Sequence, residues 1–157
     1  MPGKRHSSHP LNYEALADFR HEIRLFLNFS EQAARAAGLE PQQHQALLAL
    51  KGLPRAMRAT IGALAERLQI EPHSAVELVN RLERRGLMRR RRGTADRREV
   101  LVRLTARGER LLRRLSEPHH AELQSAGPRL LGALAVAMEH AGDAERRGGG
   151  AQESVVL

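Results

Sequence analysis

The sequence contains no cysteine and no tryptophan. The missing cysteine excludes a disulfide framework, a thiolate metal site and a thiol redox switch. Aromatic residues make up 3% of the chain, with a single tyrosine, too few for the stacking platforms that grip single-stranded nucleic acid. No apolar run approaches the roughly 18 residues of a membrane span. The opening stretch MPGKRHSSHP is polar and lacks the apolar segment of a secretory signal. A soluble, cytoplasmic protein is expected. No glycine-rich phosphate loop or nucleophile–base arrangement stands out, which argues against an enzyme. The eight histidines never fall at i, i+4, the spacing that sets two metal ligands on one helix face, so neither a metal nor a cofactor is expected.

What is present is arginine, and it is focused. The 157 residues carry a net charge of +8. Between Arg81 and Arg98 stand nine arginines (81, 84, 85, 89, 90, 91, 92, 97 and 98) against two acids, Glu83 and Asp96, an excess of seven. The rest of the chain is therefore close to neutral. A concentrated basic patch is the footprint of a polyanionic partner, or a plain solvated charge run, and its position in the chain decides between them.

The apolar periodicity gives that position. Residues 1–10 read as a disordered arm. Residues 11–37 read as a helix, with Leu16, Phe19, Ile23 and Phe26 in a heptad-like seam. Gly38 suits the turn that ends it. Pro41 opens a second helix that Gly52 and Pro54 close. Thr60 is an N-cap for a short helix bearing Ile61, Leu64, Ala65 and Leu68. After the turn Gln69-Ile70-Glu71, Pro72 starts another helix with Ala75, Leu78, Val79 and Leu82 on its inner face, and Gly86 ends it. Two short helices joined this closely form a helix-turn-helix. Residues 87–92 and 99–104 then flank a basic turn as a β-hairpin. Thr105 caps a helix to about Arg114. Pro118 is expected to bend or restart it, and Pro128 to open a last, almost wholly apolar helix needing a partner surface. The fold class is mainly α with a small β-hairpin wing (α+β): scaffold helices over 11–56, a winged helix-turn-helix over 57–105, C-terminal helices over 106–142 and a flexible tail over 143–157.

In such a motif the second helix enters the major groove with its N-terminal residues toward base edges. Those positions hold His73, Ser74, Val76 and Glu77, followed by Asn80 and Arg81. Val76 suits a thymine methyl, Ser74 a base or phosphate, and Asn80 or Arg81 a purine. Glu77 would accept from cytosine or hold a neighbouring arginine. Thr60 is counted with this set. A narrow minor groove attracts an inserted arginine, a role assigned to Arg97 at the hairpin tip. Asp96 would orient an arginine there, or simply form the turn. Arg98 joins the tip. Arg84, Arg85 and Arg89 to Arg92, among them Arg91, suit phosphates, although strand alternation prevents all four consecutive arginines from facing DNA.

The segment ATIGALAERLQIEPHSAVELVNRLERRGLMRRRRGTADRREVLVRLTARGERLL resembles the winged helix-turn-helix of the MarR family. Its marks are LAERL, the turn with EPHS, then LVNRLERRGL and ADRREVLVRLTARG, covering about residues 59–115. The flanking helices match in order and length. The resemblance implies a homodimer with interlocked terminal helices that binds a pseudopalindromic double-stranded DNA operator. It further implies an Arg97 inserted beside Asp96, and a transcriptional regulator, most commonly a repressor, released by a small aromatic or phenolic effector. Arg24, Gln43 and His44 lie near where such an effector would bind. Glu77 departs from the basic or small polar residue common in the family. The alternative is a nucleoid-type protein that binds nucleic acid by charge alone, without an effector.

Overall fold

A computed structural model describes residues 12–93 and 100–138. The elements run α1 (Tyr13–Ala36), α2 (Pro41–Lys51), α3 (Ile61–Leu68), α4 (Pro72–Arg84), β1 (Met88–Arg92), β2 (Val100–Leu104) and α5 (Ala106–Met138). The expected arm at residues 1–10 and tail at 143–157 lie outside the described residues.

Capping chemistry fixes the boundaries. Gly38 ends the α1 turn at φ 73°, a conformation that a Cβ disfavours, and the Leu39 N–H closes back on the Ala34 carbonyl at 2.9 Å. Gly86 at φ 64° does the same after α4, with the Leu87 N–H on the Leu82 carbonyl. Thr60 Oγ1 accepts the Ala63 N–H at 3.1 Å, and Thr105 Oγ1 accepts the Gly108 N–H at 3.1 Å. These are the helix starts that the sequence predicts.

The chain divides into two compact units. One is Asn28–Ala121, and it holds the core. Leu47, Leu64, Leu78, Val79, Leu82, Leu87 and Val102 are buried together there, with Leu112 and Leu115 of α5. The inner face of α4 expected from helical spacing, Ala75, Leu78, Val79 and Leu82, is buried throughout. β1 and β2 pair antiparallel, from Met88 opposite Leu104 to Arg92 opposite Val100. The Val102 N–H also reaches the Ala59 carbonyl at 2.7 Å, and Thr60 bridges Leu101, so the start of α3 is tied to the hairpin edge.

In the second unit, the described residues are 13–27 of α1 and 122–138 of α5. They bury little: Ala15 and Ala126 are its only buried apolar residues among those described. Glu22 accepts from Arg129 Nε at 3.2 Å. Of the expected seam, Leu16 is exposed and Phe19, Ile23 and Phe26 are half-buried, while Leu131 and Met138 are each 68% exposed.

The helix after the hairpin differs from expectation. The sequence predicts a break at Pro118 and a new helix at Pro128, yet α5 is one helix of 33 residues carrying both prolines. A proline removes a single N–H···O=C bond and crowds one carbonyl. Helix-favouring alanine, glutamate, leucine and glutamine occupy the turns between them. Side chains take up neighbouring carbonyls: Ser116 Oγ donates to the Leu112 carbonyl at 2.9 Å, and the His119 ring bonds that of Leu115. Among the described residues, no helix is long and apolar enough to cross a membrane.

Candidate nucleic-acid interface

α4 is held rigidly because its inner face is core, so its outer face is presented in a fixed direction. His73, Val76, Glu77, Arg81 and Arg84 are exposed on it, and Ser74 and Asn80 are half-buried beside them. The outward positions run 73, 76, 77, 80, 81 and 84, one helical stripe.

Behind the stripe runs a chain of polar contacts. Glu83 accepts the backbone N–H of Arg90 at 2.7 Å and pairs with the Arg90 guanidinium. That guanidinium also donates to Asn80 Oδ1 at 2.8 Å. Asn80 Nδ2 in turn donates to Glu77 Oε1 at 3.3 Å. Glu77 therefore holds Asn80, where sequence reasoning allowed it a neighbouring arginine. Asn80 has both ends of its amide engaged within the lobe.

This chain sorts the arginines. Arg90 lies on the inward face of β1 with Met88 and is consumed by Glu83, which corrects the expectation that it serves a phosphate. Strand alternation predicted that some of the four must turn away. Arg85 is also committed: its guanidinium donates to Gln43 Oε1 at 2.6 Å and to the Gly38 carbonyl at 2.8 Å. It ties the end of α4 to the α1–α2 turn instead of reaching outward for a phosphate. Arg81, Arg84, Arg89, Arg91 and Arg92 remain exposed, with no ion pair among the described residues. The charge excess of the sequence thus resolves into two structural ties and five outward cations. The Thr60 hydroxyl is occupied as an N-cap. Asp96, Arg97 and Arg98 lie outside the described residues.

The residues considered for an effector belong to different units. Gln43 and His44 are buried in the core unit, 6% and 3% exposed, while Arg24 is an exposed residue of the other unit. Gln43 Oε1 already accepts the Glu40 N–H at 3.2 Å in addition to Arg85. The His44 ring lies 4.7 Å from that of His119, which meets Phe29 edge-on at 5.6 Å and Ser30 Oγ at 2.8 Å. Burial holds the His44 pKa below the usual imidazole range, and His119 lowers it further. No local pattern marks this pairing, because 75 positions separate the two histidines. Among the described residues, no three histidine or acidic side chains are grouped as metal ligands would be.

Comparison with known proteins places this geometry. The family model described as "MarR family" matches residues 37–99, a stretch that includes α2, α3, α4 and β1. Over that stretch the chain is similar to the MarR family. CouR, a transcriptional repressor solved on a 23-mer DNA duplex, is similar at 27% identity over 82% of this chain and 93% of its own, with a TM-score of 0.59. AbsC, a MarR family transcriptional regulator from Streptomyces coelicolor, shares the fold at 23% identity over 87% and 94%, with a TM-score of 0.64. MepR, a transcription regulator of the Staphylococcus aureus multidrug efflux pump MepA, shares it at 19% identity over 87% and 91%, with a TM-score of 0.62. No curated protein sequence matches the chain. What the chain shares with these regulators is the winged-helix fold.

Proposed function

We propose that the chain is a sequence-specific regulator that binds a pseudopalindromic double-stranded operator as a homodimer. The observation that carries this reading is the outer stripe of α4. His73, Ser74, Val76, Glu77 and Arg81 project from a helix whose opposite face is locked in the core, the arrangement that lets side chains meet base edges in a repeatable register. Exposed Arg84 and Arg91 flank it as phosphate contacts. Arg97, with Asp96 and Arg98, is assigned to the minor groove on the sequence pattern alone.

Dimerisation rests on the second unit. Two helical segments that leave Leu16, Leu131 and Met138 exposed lack a core of their own, and a second copy would cover them. A two-fold protein in turn matches a two-fold operator, with half-sites about one helical turn apart.

Repression is the mode favoured by likeness to CouR, whose description is a transcriptional repressor. Release by a small aromatic effector is carried over from the family resemblance. Gln43 and His44 would serve it only by giving up the bonds and ring contact they already make.

The five outward arginines also favour a second reading, binding by charge alone. Selection of bound fragments from the source genome, followed by titration at fixed salt, separates the two. A regulator yields one inverted repeat bound at least about 10³-fold tighter than random duplex. A charge-only binder yields no motif and loses affinity equally on all sequences as salt rises.

A further inference from the structure

A second arginine cluster lies away from the reading stripe. Arg107, Arg110 and Arg114 stand at i, i+3 and i+7 on α5, so they share one face. With Arg85 they line a cavity of about 400 Å³, floored in part by Leu87 and Leu111. No acidic residue lines it, and Arg107, Arg110 and Arg114 make no ion pair among the described residues. Glu109, the acid of the first turn of α5, is drawn off to Lys51 at 2.7 Å.

By local rules this arrangement is unfavourable. Like charges at i, i+3 and i, i+4 repel one another on a helix. The first turn of a helix carries the positive end of its dipole, where Arg107 is disfavoured and an anion is welcome. Three arginines thus line the cavity without a counter-charge, beside Arg85, whose guanidinium is engaged by Gln43 and the Gly38 carbonyl. Such an arrangement is stabilised by a ligand that supplies the missing negative charge. The outward residues of α4 assigned to operator DNA do not line this cavity.

We propose that Arg107, Arg110 and Arg114 form a binding site for a small ligand bearing two or more adjacent phosphate groups, in the cavity that Arg85 also lines. Planar guanidinium forks match phosphate oxygens two at a time, which favours arginine over lysine here. The volume suits a diphosphate with a compact organic body, and Leu87 and Leu111 offer that body an apolar surface.

The test is calorimetric titration of the full chain, without DNA, using pyrophosphate, tripolyphosphate and ADP at near-physiological salt. One site per chain is expected, with affinity falling at least tenfold in Arg110→Ala/Arg114→Ala and unchanged in Arg81→Ala/Arg91→Ala. Tighter binding of ADP than of pyrophosphate assigns the apolar wall to an organic body; equal binding assigns the site to the phosphate chain alone. Absence of saturable binding, or an equal loss in both double variants, overturns the site. So does a loss of DNA affinity in Arg110→Ala/Arg114→Ala as large as in Arg91→Ala, because the cluster then belongs to the DNA footprint. Removing two repelling charges should raise the melting temperature of the unliganded protein, so a variant that fails to fold also overturns the proposal.

Discussion

Glu83 takes both the backbone N–H and the guanidinium of Arg90, so one carboxylate joins α4 to the first strand of the hairpin. Both side chains are less than a third exposed. Glu83→Ala would strand a half-buried guanidinium and leave a strand N–H unpaired. Hydrogen bonds to charged groups contribute about 1.5–3 kcal/mol each, and part of that is recovered by water at this exposure. A loss of about 1–3 kcal/mol in urea denaturation is expected. A double-mutant cycle with Arg90→Ala should return a coupling well above the few tenths of a kcal/mol of independent sites. Additive losses would mean that the hairpin is held by strand pairing and core contacts alone.

Arg81 and Arg91 differ in what they can report. Arg81 belongs to the base-facing stripe, whereas Arg91 is on the outward face of β1. Arg81→Ala is expected to cost about 1–3 kcal/mol on the preferred operator and to relax the preference at one base-pair position per half-site. Arg91→Ala should weaken binding to every sequence alike and shift the salt slope by about one unit. Binding selections on randomised half-sites, paired with titrations at several salt concentrations, read both effects. A uniform loss from Arg81→Ala would move it to the phosphate set.

Gly108 makes a close approach that no alanine could repeat. It is buried in the first turn of α5, and a Cβ added there would collide with the backbone carbonyl of Leu87. That same carbonyl accepts the Thr105 N–H at 3.0 Å, so it cannot easily swing away. Gly108→Ala should destabilise the protein by about 1–3 kcal/mol, the usual range for overpacking, despite the better helix propensity of alanine. Thermal melting of the variant checks this. An unchanged or raised melting temperature would mean that α5 and the hairpin separate without loss.

How far these features can be read from the sequence depends on how local their causes are. Thr60, Gly38, Gly86 and Thr105 act within a few residues, and each was legible as a cap or a turn. The inner face of α4 follows from period alone. Arg90 was legible only in part: alternation puts two of four consecutive arginines on each face, but Glu83 as the partner of Arg90 appears only when α4 and β1 are set side by side. The His44–His119 contact is wholly tertiary and left no local trace. The prolines of α5 misled because a local rule was met by a helix long enough to lose two bonds. The cavity that Arg107, Arg110 and Arg114 share with Arg85 is likewise tertiary.

Leu131 is the direct probe of the second unit. A leucine 68% exposed on α5 contributes little to a lone chain, so Leu131→Glu should leave the melting of the core unit nearly unchanged. In a dimer that covers this face, the same change buries an unpaired carboxylate and should cost several kcal/mol of association. Light scattering across a concentration series would then report monomer for Leu131→Glu where the parent is dimeric. A dimer of undiminished affinity would exclude this face from the interface.

His44 gives stability a pH dependence of definite sign. Burial, aided by His119, lowers its pKa from the reference value of 6.5, so the native state resists a proton that the unfolded chain accepts. Well above pH 6.5 both states are neutral at His44 and nothing is lost. As pH falls through 6.5 the unfolded state gains its proton first, and stability drops by at most about 1.4 kcal/mol per pH unit for this one group. The decline from His44 stops below its lowered native pKa, where both states are protonated. Urea denaturation from pH 8 to pH 5 should follow this curve in the parent, and His44→Phe should flatten it. A profile identical in the two proteins would show that the imidazole takes up its proton in the core as readily as in water.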